Sequence, residues 1–194
     1  MNQSQEEIFN HIAQELVDIG LHVKYLYGIF IDSPGERKRE VLDAASPIFF
    51  NLTFHLFYNH ILMSLSKLID PSRQMGRENL SIKNLIEKLE PLPSSISSSV
   101  DAMISQVEQA LGNAIKQHRN RRIAHNDLVT KLQAGQLPIV TEQDLYLALE
   151  GFEKLMNILS KHYFNFERDY DSNVSSHNMP STLIEIIRLG LGKA

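Results

Sequence analysis

The chain has 194 residues, of which 43% are hydrophobic and 22% are charged. This composition is typical of a globular protein and excludes a disordered or collagen-like chain. Nineteen lysines and arginines against 23 aspartates and glutamates leave a net charge of −4. A protein that coats nucleic acid over its whole surface is therefore not expected, and any such contact must come from a local basic patch. The absence of cysteine excludes disulfides and thiolate metal sites.

The sequence gives no sign of export or of a membrane segment. The first ten residues, MNQSQEEIFN, have neither the basic nor the apolar region of a signal peptide. The most apolar stretch, residues 49–65, contains two asparagines and two histidines, whereas a membrane span needs about 20 mostly apolar residues. We therefore expect a cytoplasmic protein without membrane contact.

Apolar residues recur at spacings of three, four and seven along most of the chain, which predicts helices. The first predicted helix runs through residues 8–30 and is broken at Ser33-Pro34-Gly35. A second helix is predicted over 36–45, and a third starts with Ser46 as its cap and ends at Asp70-Pro71. Since this third helix is apolar on two sides, we expect it to be central in a bundle.

The second half of the chain is also predicted to be helical. The predicted elements are a loop over 72–79, a short helix capped by Ser81, a serine-rich stretch over 94–99 that could be a linker, and a helix whose apolar pattern runs from Ile104 to Ile115. A Thr141-capped helix to Tyr163 and a last helix from its cap Ser181 to Leu189 follow. No alternating run is long enough to predict a strand. We predict an all-α helical bundle over residues 1–167, followed by a polar linker and a short C-terminal helix over 168–194.

One segment differs from the acidic chain around it. In Lys116-Gln117-His118-Arg119-Asn120-Arg121-Arg122, four of the 19 cations lie within seven residues. On a helical wheel, His118, Arg122 and His125 extend the apolar stripe of the preceding helix. One interpretation is a solvated helix end whose cations complement the helix dipole. The other is an anion site, in which arginine binds phosphate and histidine moves protons.

The run from Arg119 to His125 resembles the signature of the HEPN superfamily (higher eukaryotes and prokaryotes nucleotide-binding). That signature is an arginine, usually followed by a polar residue, and a histidine after four to six intervening residues. Here five residues separate Arg119 from His125, and Asn120 is the polar residue. The form Arg-Ile-Ala-His-Asn-Asp is similar to the AbiU-like abortive-infection branch, and the helix layout over residues 5–165 agrees with it.

The resemblance implies a helical bundle that is usually a homodimer. In many members it implies a metal-independent endoribonuclease without cofactor, often a toxin or a phage-defence effector with an antitoxin or regulatory partner. In other members the same fold is a non-catalytic module that binds RNA, a nucleotide or a protein. A purely structural role, in which the polar helix end is a salt-bridged dimer contact, is the third interpretation.

The residues suit metal-free RNA cleavage, which needs an acid, a base and positive charge on the phosphate. We predict that His125 is the acid/base residue, that Arg119 stabilises the phosphate and that Asn120 positions one of them. Contacts to the RNA backbone are predicted for Lys116, His118, Arg121 and Arg122. Asp127 stands where some related toxins carry a modifiable tyrosine, and it is predicted to orient or pair with a cation.

In a straight α-helix, Arg119 and His125 would point about 120° apart with about 9 Å of rise between them. They could not easily share one phosphate. Either the helix bends or ends inside the motif, or the arginine of one chain works with the histidine of the other. The second alternative makes dimerisation obligatory for activity.

Overall fold

The computed structural model describes residues 1–31, 37–89, 91–123, 137–170 and 180–192. Their elements are α1 (Gln3–Phe30), α2 (Lys38–Ala45), α3 (Pro47–Leu68), β1 (Arg73–Gln74), β2 (Arg77–Glu78), α4 (Ile82–Lys88), α5 (Ser94–Gln117), a π-helical turn (His118–Ile123), α6 (Glu142–Phe164) and α7 (Pro180–Gly190). The all-α prediction is confirmed. Within the described ranges, no helix is both long enough and apolar enough to cross a membrane.

Two of the four predicted helix caps are present as side-chain hydrogen bonds. The hydroxyl oxygen of Ser81 accepts from the backbone N–H of Asn84 at 3.3 Å, and that of Thr141 accepts from Asp144 at 3.2 Å. The Asp144 carboxylate in turn accepts from the backbone N–H of Thr141 at 2.9 Å, which completes a capping box.

Ser46 is the N-cap residue of α3 with Pro47 at the first helical position, as predicted, but its side chain makes no capping hydrogen bond. The cap predicted at Ser181 is wrong, because the last helix already begins at Pro180 and Ser181 lies inside it.

The core lies between α1, the second half of α3, α5 and α6. These helices contribute side chains that are almost fully buried: Phe9, Ile12, Ile19, Leu26, Ile61, Leu65, Leu111, Ile115, Leu145 and Leu155. They match the apolar stripes in the sequence, because each stripe follows the helical period and must face away from water.

The expectation that α3 is central in the bundle is confirmed for its second half and is wrong for its first half. Its buried residues all lie from Ile61 onward. In its first half, Leu52 is 59% exposed and Leu56 is 70% exposed, and Ile48 and Phe49 are exposed too. On the opposite side of this part of α3, the rings of Phe50 and Phe54 lie against Phe30 of α1. One of its two apolar sides is therefore left uncovered by the described residues.

The predicted loop over 72–79 contains a small antiparallel hairpin. Arg73 pairs with Glu78 in register, and their side chains form a salt bridge at 3.2 Å. The turn residues Met75 and Gly76 have φ angles of 49° and 78°. Positive φ at both central positions suits the twist of a two-residue hairpin. Strands of two residues are too short to show alternation, which is why the sequence pattern did not predict them.

The C-terminal helix α7 packs against α1 and α2 of its own chain. Ile184 is buried in a small cluster with Ile29 and Leu42. At the start of α7, the ring of Pro180 lies against Gly28, where a β-carbon would come within 2.5 Å of it. The boundary at residue 168 stays a prediction, and α7 is held by a close contact with α1.

Candidate functional site

The apolar stripe of α5 runs directly into the predicted motif. Ile115 is fully buried, and His118 continues the stripe with only 4% of its surface exposed. The Nε2 atom of His118 lies 2.8 Å from the carbonyl oxygen of Pro138, and the ring meets Tyr58 edge-on at 6.0 Å between centroids. Because a carbonyl oxygen only accepts, Nε2 carries the proton. Among the described residues, the buried Nδ1 has no hydrogen-bond partner.

The helix changes its geometry inside the motif. After Gln117 the backbone leaves the α-helix and forms a π-helical turn over His118–Ile123. Such turns bond i to i+5 and are found frequently at functional sites. The angle of about 120° between Arg119 and His125 holds only for an unbroken α-helix. The helix therefore changes its type inside the motif. This is the region where we expected the helix to bend or end if Arg119 and His125 of one chain are to act together.

Arg119 is anchored on the end of α3. Its Nη1 atom donates to Asp70 Oδ1 at 2.5 Å and to Ser66 Oγ at 2.9 Å. Its Nε atom donates to Asn120 Oδ1 at 3.3 Å. The side chains of Arg119 and Asp70 are 22% and 17% exposed, so this ion pair is half-buried. The structure thus brings Asn120 to Arg119 and adds two residues, Asp70 and Ser66, that sequence reasoning did not identify as site residues.

The remaining predicted site residues have different surroundings. Lys116 is exposed on the last turn of α5, and Arg121 is half-buried in the π-helical turn. The side chain of Arg122 lies outside the described structure, as do His125 and Asp127. Their roles stay predictions. His118 is buried, so a phosphate arriving from solvent would meet little of its surface.

The described residues contain no cluster of three or more histidine, aspartate or glutamate side chains that could hold a metal ion. At the Arg119 site the groups within reach are a guanidinium, a carboxylate, a hydroxyl and an amide. A guanidinium binds phosphate oxygens well. The described part of the site can therefore bind and orient an anion.

The family comparison covers both the bundle and this site. The family model HEPN_AbiU2, described as AbiU2, matches residues 3–179. The match extends from α1 through α6 and includes the whole of the motif. No curated protein and no solved structure gives a match.

Proposed function

Because this chain belongs to the AbiU2 family of HEPN domains, we propose that it is a metal-independent endoribonuclease that acts in abortive infection. The observation that carries the proposal is the placement of Arg119. The motif arginine is fixed by two hydrogen bonds to the end of α3 and one to Asn120, and it lies close in sequence to exposed Lys116 and half-buried Arg121. These cations form a local basic patch on an acidic protein, as RNA binding by this chain would require.

In the proposed reaction the RNA supplies its own nucleophile. The 2′-oxygen attacks the adjacent phosphorus, and the bond from phosphorus to the 5′-oxygen breaks. The products are a 2′,3′-cyclic phosphate and a 5′-hydroxyl end. One His125 takes the proton of the 2′-hydroxyl, and a second His125 gives a proton to the leaving 5′-oxygen. Each such transfer contributes about 10²- to 10⁴-fold to the rate. Arg119 stabilises the charge on the non-bridging oxygens.

One chain offers one motif histidine, so the proposal includes a homodimer. The uncovered side of α3 supports it, because Ile48, Leu52 and Leu56 recur every four residues and form an exposed apolar stripe. We assign this stripe to a second copy of the chain. If the two α3 helices ran antiparallel and crossed at Leu52, their Leu68 ends would lie about 48 Å apart. A shared site therefore requires the two-fold axis to run roughly along α3.

The cleavage assay is direct. The purified protein is incubated with single-stranded RNA in EDTA, and the ends of the products are analysed. We expect 2′,3′-cyclic phosphate ends, and a loss of cleavage in His125→Ala and Arg119→Ala. Arg39→Ala is the matched control, because Arg39 lies on α2 with its side chain 84% exposed and is predicted to keep full activity. Unchanged cleavage in both motif variants would overturn the assignment.

A second candidate function is RNA binding without cleavage through the same surface. The burial of His118 favours it, since this histidine is 4% exposed and bonded to the carbonyl of Pro138, which keeps it from exchanging a proton with a bound RNA. In that case, the wild-type protein would bind single-stranded RNA and leave it intact. The cleavage assay, run beside a binding titration, distinguishes the two functions.

A further inference from the structure

We propose that Asp70 is a positioning residue for Arg119, with Ser66 as its second support; this inference rests on the proposed function. Both residues contact the same atom, Nη1 of Arg119, at 2.5 and 2.9 Å. Asp70 lies 49 positions before Arg119 in the sequence. The contact joins the end of α3 to the π-helical turn and fixes where the guanidinium points.

The backbone that carries Asp70 is itself held on both sides. Its N–H donates to the carbonyl of Lys67 in the last turn of α3, at 3.3 Å. The next residue, Pro71, accepts a hydrogen bond from the side-chain amide of Asn79 at 2.8 Å. The hairpin that begins at Arg73 is closed by Asn79 donating to Ser72 at 2.8 Å. Asp70 is thus a fixed carboxylate, and Arg119 adapts to it.

Burial separates this ion pair from the others. Its two side chains are 22% and 17% exposed, against 32% and 45% in the pair of Lys88 and Glu78. The pair of Arg39 and Asp43, by contrast, is 84% and 60% exposed, with 4.0 Å between its atoms. Exposed pairs hold their geometry weakly, whereas a charge-assisted hydrogen bond in a half-buried site fixes it. Ser66 is almost fully buried and adds a further bond.

The contacts of Arg119 with the described residues leave one edge of its guanidinium for a ligand. A guanidinium has five N–H donors in a rigid plane. Nη1 serves Asp70 and Ser66, and Nε serves Asn120. Within the described residues, Nη2 has no partner. The Asp70 carboxylate also offsets the positive charge of Arg119. It therefore lowers the affinity of the site for phosphate while it fixes the orientation of the guanidinium. The arrangement favours orientation at the reacting phosphorus over tight binding.

This balance predicts a split between kcat and KM. Asp70→Asn should lower kcat at least tenfold and leave KM unchanged or lower. The positive charge of Arg119 is then no longer offset by a carboxylate, but its guanidinium is no longer held in one orientation. Asp70→Glu should restore part of kcat, and Ser66→Ala should lower it a few-fold. Asp43→Asn is the matched control, since it removes an exposed carboxylate from an arginine pair. Thermal melting of each variant accompanies the kinetics.

An unchanged or raised kcat in Asp70→Asn would overturn the proposal, as would a raised KM with normal kcat. A second measurement is independent of activity. In side-chain NMR of nitrogen-15-labelled arginine, the Nη protons of Arg119 should exchange slowly in the wild type and rapidly in Asp70→Asn. Wild type that cleaves no RNA refutes the proposed function, whereas unchanged Arg119 exchange in Asp70→Asn refutes the positioning role.

Discussion

Val107 on α5 occupies the space that a β-carbon at Gly151 on α6 would need. Its Cγ2 atom would lie 2.8 Å from that carbon, closer than real contacts allow. A glycine inside a helix costs about 1 kcal/mol relative to alanine. The absence of a side chain at Gly151 is therefore explained by the close approach of the two helices. α5 carries the motif at its end, so this approach also helps to fix the site.

Gly151→Ala is expected to lower the free energy of unfolding by about 1–3 kcal/mol, since overpacking outweighs the gain in helix propensity. Val107→Ala in the same chain should recover part of this loss by making room. Gly112→Ala is the control on α5, because its β-carbon would meet a side-chain atom of Glu108 at an ordinary van der Waals distance of 3.8 Å. Urea unfolding measures all four proteins. A Gly151→Ala protein as stable as wild type would contradict this view of the interface.

The docking of α7 depends on Gly28. Gly28→Ala would place a β-carbon 2.5 Å from the ring of Pro180, so α7 should be displaced and its backbone should lose protection from hydrogen exchange. Gly20→Ala lies on the same helix with no atom within 4 Å of the new carbon. It should stabilise α1 by about 1 kcal/mol and leave the exchange of α7 unchanged. Equal exchange of α7 in both variants would argue against this contact.

Stability should fall in mild acid because of His22. Burial, and secondly the nearby His60, lower the pKa of His22 below its ordinary 6.5, and Asp18 and Glu15 oppose this more weakly. The rings of His22 and His60 lie 4.6 Å apart, and that of Phe57 lies 5.5 Å from His22. The unfolded chain therefore binds a proton at higher pH than the folded chain. The free energy of unfolding should decrease as the pH falls through 6.5 and level off below the folded-state pKa.

Urea unfolding between pH 5 and pH 8 measures this dependence. His22→Gln should flatten the curve below pH 6.5, since the group with the lowered pKa is gone. His11→Gln removes an exposed histidine of the same helix and should leave the slope unchanged. If the free energy of unfolding had the same pH dependence in both variants, the burial of His22 would not be the cause of the lower stability in acid.

RNA affinity should depend on salt through the basic patch. Each phosphate contact on a single strand contributes a slope of about −0.7 to the plot of log affinity against log salt concentration. In a His125→Ala background, Lys116→Ala and Arg121→Ala should each reduce the slope by about that amount. Lys154→Ala is the control, because Lys154 pairs with Glu150 on the surface of α6. Slopes that match the background in both variants would exclude these contacts.

The uncovered side of α3 gives a test of dimerisation. Leu52→Glu and Leu56→Glu should each convert the dimer to a monomer in light scattering and abolish RNA cleavage. Met75→Glu introduces the same charge at an exposed apolar residue of the hairpin and should leave the dimer intact. A monomeric wild type that cleaves RNA would refute the composite site.

The direction of the two-fold axis can be measured separately, because the chain has no cysteine of its own. A spin label on Met75→Cys, just beyond the end of α3, reports the distance between the two copies. Antiparallel α3 helices would place these labels more than about 48 Å apart. We expect a much shorter distance, since the two motifs must meet.

Local features of this protein could be predicted from the sequence, and contacts between distant segments could not. The apolar stripes predicted the helices, and the caps at Ser81 and Thr141 were visible because a cap and its partner are three residues apart. Asp70 and Arg119 are 49 residues apart, and no spacing rule joins them. The exposure of Leu52 could not be predicted either, because the sequence does not show whether another helix covers an apolar residue.

The bond between His118 and Pro138 brings together the two ends of a chain segment, residues 119–137, at a distance of 2.8 Å. This bond ties the residue before Arg119 to the stretch of chain that leads into α6. A displacement at the start of α6 should therefore reach Arg119 through the ring of His118.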